Sequence, residues 1–137
     1  MVRVVISISA LAGAVATAIL LGVVAHNELA ISSAQTFALN MLGKDQKSLA
    51  FTFFRPADVS DGKLSGQSFR KGTTGAPILI DALGAVECRV VSIVEQGDHH
   101  IVVGEVIDAH LSKPPSGRPD SAILEMKDLA ESVFYGG

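Results

Sequence analysis

Asp98, His99 and His100 stand in a row after Gly97, and imidazole is the side chain whose charge is set near neutral pH. A metal site is the first chemistry such a run suggests. Neighbours on a strand point to opposite faces, however, so His99 and His100 do not easily converge on one ion. Asp98 suits a turn instead, bonding its own backbone. His99 could stack on a flat ring, donate one N–H, or, when protonated, stabilise developing negative charge; an exposed turn histidine without a role is the plain alternative. Ser7 and Ser9 alternate with apolar neighbours and so share one face of a strand, each hydroxyl able to donate and accept. Their simpler use is to satisfy neighbouring strand backbone. Arg70 and Lys71 are the best basic candidates for a phosphate group, with a solvated loop as the equal alternative. Tyr135 could stack on a ring or merely cover the edge of a core.

Other residues narrow the field. Cys88 is the only cysteine, which excludes an intrachain disulfide and a cysteine-based zinc site, and its place in a strand pattern reads as a small buried hydrophobe. Glu87 and Arg89 fall two apart on one strand face and are expected to pair, without a catalytic role. No Ser-His-Asp order, P-loop or Rossmann glycine fingerprint is present, so hydrolase and nucleoside-triphosphatase readings lack support.

These residues need elements to hold them. The β-branched runs Ala85–Val94 and Ile101–Ile107 flank Gly97-Asp98 and predict a β-hairpin with His99 at its tip. Phe37–Leu42 predicts a strand, and Asp45 is placed to cap a short helix through Ala50. Residues 55–75 read as a long polar loop that carries Arg70 and Lys71. Residues 113–119, with three prolines, read as a surface loop, and residues 123–134 contain a short amphipathic stretch. Residues 4–25 hold no charge. That run is long enough for a membrane or signal segment, but Val2–Ser9 and Ala18–Val24 read better as two core strands.

The bulk numbers agree with one globular domain. There are 137 residues, 48% of them hydrophobic and 18% charged, which is too apolar for a disordered tail. A formal charge of −3 with scattered Lys and Arg carries no nucleic-acid footprint.

In order along the chain, Ser7–Ala12, Leu20–Asn27, Phe37–Leu42 with Asp45-Gln46, Gly75–Leu79, Glu87–Val90, Gly97-Asp98-His99 with Gly104-Glu105-Val106, and Phe134-Tyr135-Gly136 resemble the flavin reductase-like family. The resemblance implies a mainly β fold with short helices, the FMN-binding split β-barrel, over one domain of residues 1–137 that lacks the family's opening helix and strand. It departs further in Ala16-Thr17-Ala18, where a proline pair is usual, and in a shortened turn at Glu28-Leu29-Ala30. It implies an NAD(P)H-dependent reductase, cytoplasmic and homodimeric, that transfers hydride to FMN or FAD and serves a monooxygenase component. His99 would then stand at the chemistry. Ser7, Ser9, Ala10, Leu11, His26, Asn27 and Tyr135 would contact flavin, and Arg70 and Lys71 would take a dinucleotide phosphate. A non-catalytic flavin-binding split barrel, and a domain tethered through residues 4–25, are the alternatives.

Overall fold

A hairpin of two 13-residue strands is the chassis of the molecule: β7 (Gly84–Gln96) and β8 (His99–Leu111) run antiparallel, with Gln96 opposite His99. A computed structural model describes residues 3–9, 35–53, 57–96 and 99–129. β1 (Arg3–Ser9) adds to the free side of β8, and β2 (Thr36–Met41) to the free side of β7, giving a sheet ordered β1-β8-β7-β2. The hairpin, the first strand and the Phe37 strand therefore stand where their β-branched patterns put them. Because Arg3–Ser9 is strand, a helical span does not begin at Val4, and among the described residues no helix is long and apolar enough to cross a membrane. The second apolar strand expected at Ala18–Val24 lies outside the described residues.

One face of this sheet is dry. Phe37, Leu39, Cys88 and Val102 point into a core shared with Leu42, Phe53, Leu64, Leu79, Leu124 and Leu129. Two irregularities interrupt the hairpin ladder, at Glu87/Cys88 and at Val90/Ser92. They leave Ile107 and Val91 unpaired, and both are exposed. Bulges of this kind add one residue to a strand and increase its local twist, which here keeps the apolar set on the core side across both interruptions.

The segment expected to be a long polar loop is a second small sheet. β3 (Val59–Ser60), β4 (Lys63–Leu64), β5 (Gln67–Lys71) and β6 (Pro77–Leu79) pair in chain order. The first two links are two-residue turns, Asp61-Gly62 at φ 51° and 71° and Ser65-Gly66 at φ 47° and 77°. Positive φ at both central positions is the twist that tight hairpins require. Arg70 and Lys71 are thus strand residues, paired with Ile78 and Pro77.

Short helices close the core. α1 (Lys47–Thr52) contributes Ala50, and Phe53 follows it fully buried. Its N-cap is Gln46 rather than Asp45. The Gln46 side chain accepts from Gly43 N at 2.8 Å and donates to Asp81 O at 2.7 Å, so it holds two loops instead of capping the helix. Pro119 is not loop but opens α2 (Pro119–Ala122), where its missing N–H is not needed. α3 (Met126–Leu129) then brings Leu129 to the core.

Gly104 on β8 is set by packing. A β-carbon there would stand 2.6 Å from Phe37 Cζ and 2.9 Å from Cys88 Cβ. Gly104→Ala is therefore expected to destabilise the fold by about 1–3 kcal/mol through overpacking. A urea unfolding midpoint equal to that of the parent protein would show that Phe37 has room to move.

Candidate functional site

The other face of the β1-β8-β7-β2 sheet has an open end and a closed end. At the open end, near the hairpin tip, β1 runs along β8 so that Ser9 pairs with His99 and Ser7 with Ile101. The next pair across the hairpin, Val94 with Ile101, is about 40% exposed on both sides. The two serines and the histidine named from the sequence thus come to adjacent register positions beside an exposed aliphatic pair. Ala10, Leu11, His26, Asn27 and Tyr135 lie outside the described residues.

At the closed end the sheet face is covered by the turn between β5 and β6, and the cover is fastened by Glu87. This residue is fully buried. Its Oε1 accepts from Thr73 N at 2.9 Å and from His110 Nε2 at 2.5 Å. Its Oε2 accepts from Thr74 N at 2.7 Å and from the Thr74 hydroxyl at 2.5 Å. Burial pushes the carboxyl's pKa up, but the Thr74 hydroxyl and amide, the His110 ring and the Thr73 amide outweigh it and hold the value at about 2. The group is therefore an anion at neutral pH, and the proton in the His110 contact belongs to the imidazole. Asp108, directly across from Glu87 in the ladder, accepts from the Thr73 hydroxyl at 2.6 Å, and that bond lowers its own pKa. Gly72 is glycine for the same reason: a β-carbon there would fall on the Glu87 carboxylate.

Glu87 does not pair with Arg89, contrary to expectation. The turn and His110 take both Glu87 oxygens, and Arg89 instead forms an exposed ion pair with Glu105, its partner across the ladder. Sequence reasoning also passed over His110, Asp108, Thr73 and Thr74. The available signal was a lone acid in an apolar strand together with the Asp108-x-His110 spacing, which puts both side chains on one strand face. Glu87, Asp108 and His110 bring three ligand atoms within 4.8 Å of one another. Each oxygen of Glu87 already accepts two hydrogen bonds, so the cluster is satisfied as a clasp.

Arg70 and Lys71 lie next to this clasp and not at the hairpin tip. His99 and Asp108 are nine positions apart on β8, about 30 Å at strand rise. The structure brings Ser7, Ser9 and His99 to adjacent register positions and leaves the basic pair on the smaller sheet, beside the other end of the β7–β8 hairpin.

Residues 5–126 match the flavin reductase like domain family. The chain belongs to that family. It is similar to a probable flavin reductase of Rhizobium meliloti, 36% identical over 81 residues, or 59% of this chain and 25% of the relative. It is also similar to the reductase component of 4-nitrophenol 4-monooxygenase/4-nitrocatechol 2-monooxygenase of Rhodococcus opacus, 40% identical over 80 residues, covering 58% of this chain and 41% of the relative. Among solved structures, flavin reductase HpaC complexed with NADP+ superposes with a TM-score of 0.61 at 22% identity, over 83% of this chain and 62% of that one. The last likeness shows the fold alone, the split β-barrel of flavin reductases. The chain spans from a quarter to under half of the length of the two curated relatives.

Two predictions follow from the buried groups. The Glu87 pKa is depressed from 4.5 to about 2, so its contribution to stability is present above about pH 4.5 and is lost as pH falls toward 2. Glu87→Gln should remove on the order of 3 kcal/mol at pH 7 and flatten the acid limb of stability against pH, as read by denaturant unfolding at stepped pH. An acid limb unchanged by the substitution would assign acid sensitivity to other carboxylates. Cys88 is fully buried, and burial, with the Glu87 charge second, pushes its thiol pKa up to about 11. It should stay silent to a thiol-disulfide reagent in the native state and react with one equivalent on unfolding; rapid native reaction would contradict the packing.

Proposed function

We propose that the protein is an NAD(P)H-dependent flavin reductase that moves hydride from the nicotinamide to FMN or FAD and supplies reduced flavin to a separate monooxygenase component. The observation that carries this reading is the register of β1 on β8, which sets Ser7 and Ser9 beside Ile101 and His99 in a chain of this family. A flavin ring needs a flat apolar support with hydrogen-bond groups along its edge. The exposed Val94–Ile101 pair supplies the first, and the register positions of Ser7, Ser9 and His99 supply the second. Bound flavin and nicotinamide carry the redox chemistry themselves. The chain's part is to seat the two rings against each other, with the serine hydroxyls on the flavin edge and His99 as the donor to the charge that develops there. Ala10, Leu11, His26, Asn27 and Tyr135 complete the flavin contacts in this reading, and Arg70 and Lys71 take a dinucleotide phosphate.

The relatives' names support the assignment. One is a reductase component of a monooxygenase, and one structure was determined with NADP+. A cytoplasmic homodimer fits the same reading. Val94 and Ile101 pair across the hairpin with both side chains exposed, and exposed aliphatic surface of that kind suits a subunit contact.

Consumption of NADH and of NADPH, measured with FMN, FAD and riboflavin in turn, tests the proposal. Turnover with at least one pair is expected. Flavin binding without nicotinamide oxidation would reduce the protein to a flavin-binding module. His99→Ala is expected to lower the rate of hydride transfer by about 10-fold or more while changing flavin affinity far less. An unchanged rate would remove His99 from the site.

A further inference from the structure

The β5–β6 ladder ends in the turn that follows Lys71. Lys71 faces Pro77 at a position of the ladder that carries no hydrogen bond, the Pro77 carbonyl being turned to Asn40 on β2. Beyond it the turn keeps two backbone bonds of its own, Gly72 N to Ala76 O at 2.9 Å and Gly75 N to Gly72 O at 3.1 Å. Neither ties the turn to the larger sheet. That fastening comes from Glu87, which gathers the amides of Thr73 and Thr74 and the Thr74 hydroxyl, and from Asp108, which holds the Thr73 hydroxyl. His110 fills the remaining acceptor position on Glu87, and it reaches Asp108 at 3.7 Å. These are the titratable groups at the clasp among the described residues; Arg89, two residues along β7, is engaged by Glu105. Arg70 and Lys71 are both exposed and immediately precede the clasped turn.

We propose that Glu87 is a positioning residue: by clasping Thr73 and Thr74 it fixes the end of β5 and so sets where Lys71, the basic residue next to the turn, presents its charge to a dinucleotide phosphate. The proposal rests on the reading of Arg70 and Lys71 given above. The carboxylate touches no ligand and acts only through the turn. A buried anion with four donors is suited to this because each bond has a direction, so the turn is held in one orientation and not merely in contact.

The test combines steady-state kinetics with amide hydrogen exchange on the full chain. The variants are Glu87→Gln, Thr74→Val, Thr74→Ser and the pair Arg70→Ala with Lys71→Ala. The basic-pair variant is expected to raise the KM for NAD(P)H about tenfold. Glu87→Gln and Thr74→Val are expected to raise it several-fold with a much smaller fall in kcat, and Thr74→Ser, which keeps the hydroxyl, to restore it. Adding Glu87→Gln to the basic-pair variant should raise KM no further, since both act through one contact. In exchange, the amides of Thr73, Thr74 and β5 should open faster in Glu87→Gln and Thr74→Val, while the centre of the β7–β8 hairpin keeps its protection.

Thr74→Val carries the test if Glu87→Gln fails to fold. Multiplying KM effects in the combined variant, or a KM unmoved by Thr74→Val, would overturn the positioning role. Exchange unchanged at Thr73 and Thr74 would overturn the clasp itself. A KM unmoved by the loss of Arg70 and Lys71 would overturn the reading of the basic edge on which the proposal stands. Exchange also reads the clasp in a protein without turnover, so loss of the reductase reading and loss of the clasp give different results.

Discussion

The two sheets share apolar clusters, but the bonds that fix one against the other are polar, and the placement of everything on the smaller sheet depends on them. Two buried polar side chains make those bonds. Asn40 on β2 donates to Pro77 O at 3.1 Å and accepts from Leu79 N at 2.8 Å, so its amide reads the β6 backbone as a neighbouring strand would. Glu87 on β7 does the same for the turn before β6, with an anion in place of an amide. Apolar contact would hold the sheets together without saying how far one may slide over the other. Hydrogen bonds with fixed donors and acceptors define the register between them. Burying a carboxylate is costly unless it is fully paired, and four donors meet that condition here.

The larger sheet makes this possible by keeping its two faces different. Cys88, Val102 and Phe37 stay on the dry side because each bulge resets the alternation after an extra residue. The opposite face then changes character along its length. Near the tip it presents Val94 and Ile101 to solvent, and toward the other end it is closed by a turn pinned to Glu87 and Asp108. Gly104 and Gly72 mark the tight points on the two faces, one facing the Phe37 ring and the other the carboxylate. Neither position has space for a β-carbon without a shift.

The hairpin, β2 and the buried Cys88 were legible because long β-branched runs around Gly97-Asp98 admit few other readings. The small sheet was not. Its strands are two to five residues long, too short for alternation to show, although Asp61-Gly62 and Ser65-Gly66 are the residue types that tight turns require. Asp45 lost the cap to Gln46 because the glutamine side chain has partners on both flanking loops, a tertiary effect with no local trace. Glu87 was visible as an oddity, but its donors stand 13, 14 and 23 residues away, and Arg89 finds its acid across the ladder at Glu105. Alternation alone put Ser7 and Ser9 on one face. Their meeting with His99 needed the register of a strand pair 90 residues or more apart in sequence, and only the family resemblance anticipated it.

The length of β8 separates the tasks that the two ends can perform. A group seated against Ser9 and His99 lies about 30 Å along the strand from Asp108, so a ring held at the tip is far from the clasp. Any one ligand that touches both ends must be extended and longer than a single nucleotide. In the proposed reading, a ring at the tip would need close, oriented contact, and the register of β1 on β8 is a rigid frame for it. A phosphate at the other end would need only charge delivered at one place, which an exposed basic side chain on a pinned strand can supply. Rigidity is therefore supplied differently at each end: by a continuous ladder at the tip, and by one buried carboxylate at the turn that follows Lys71.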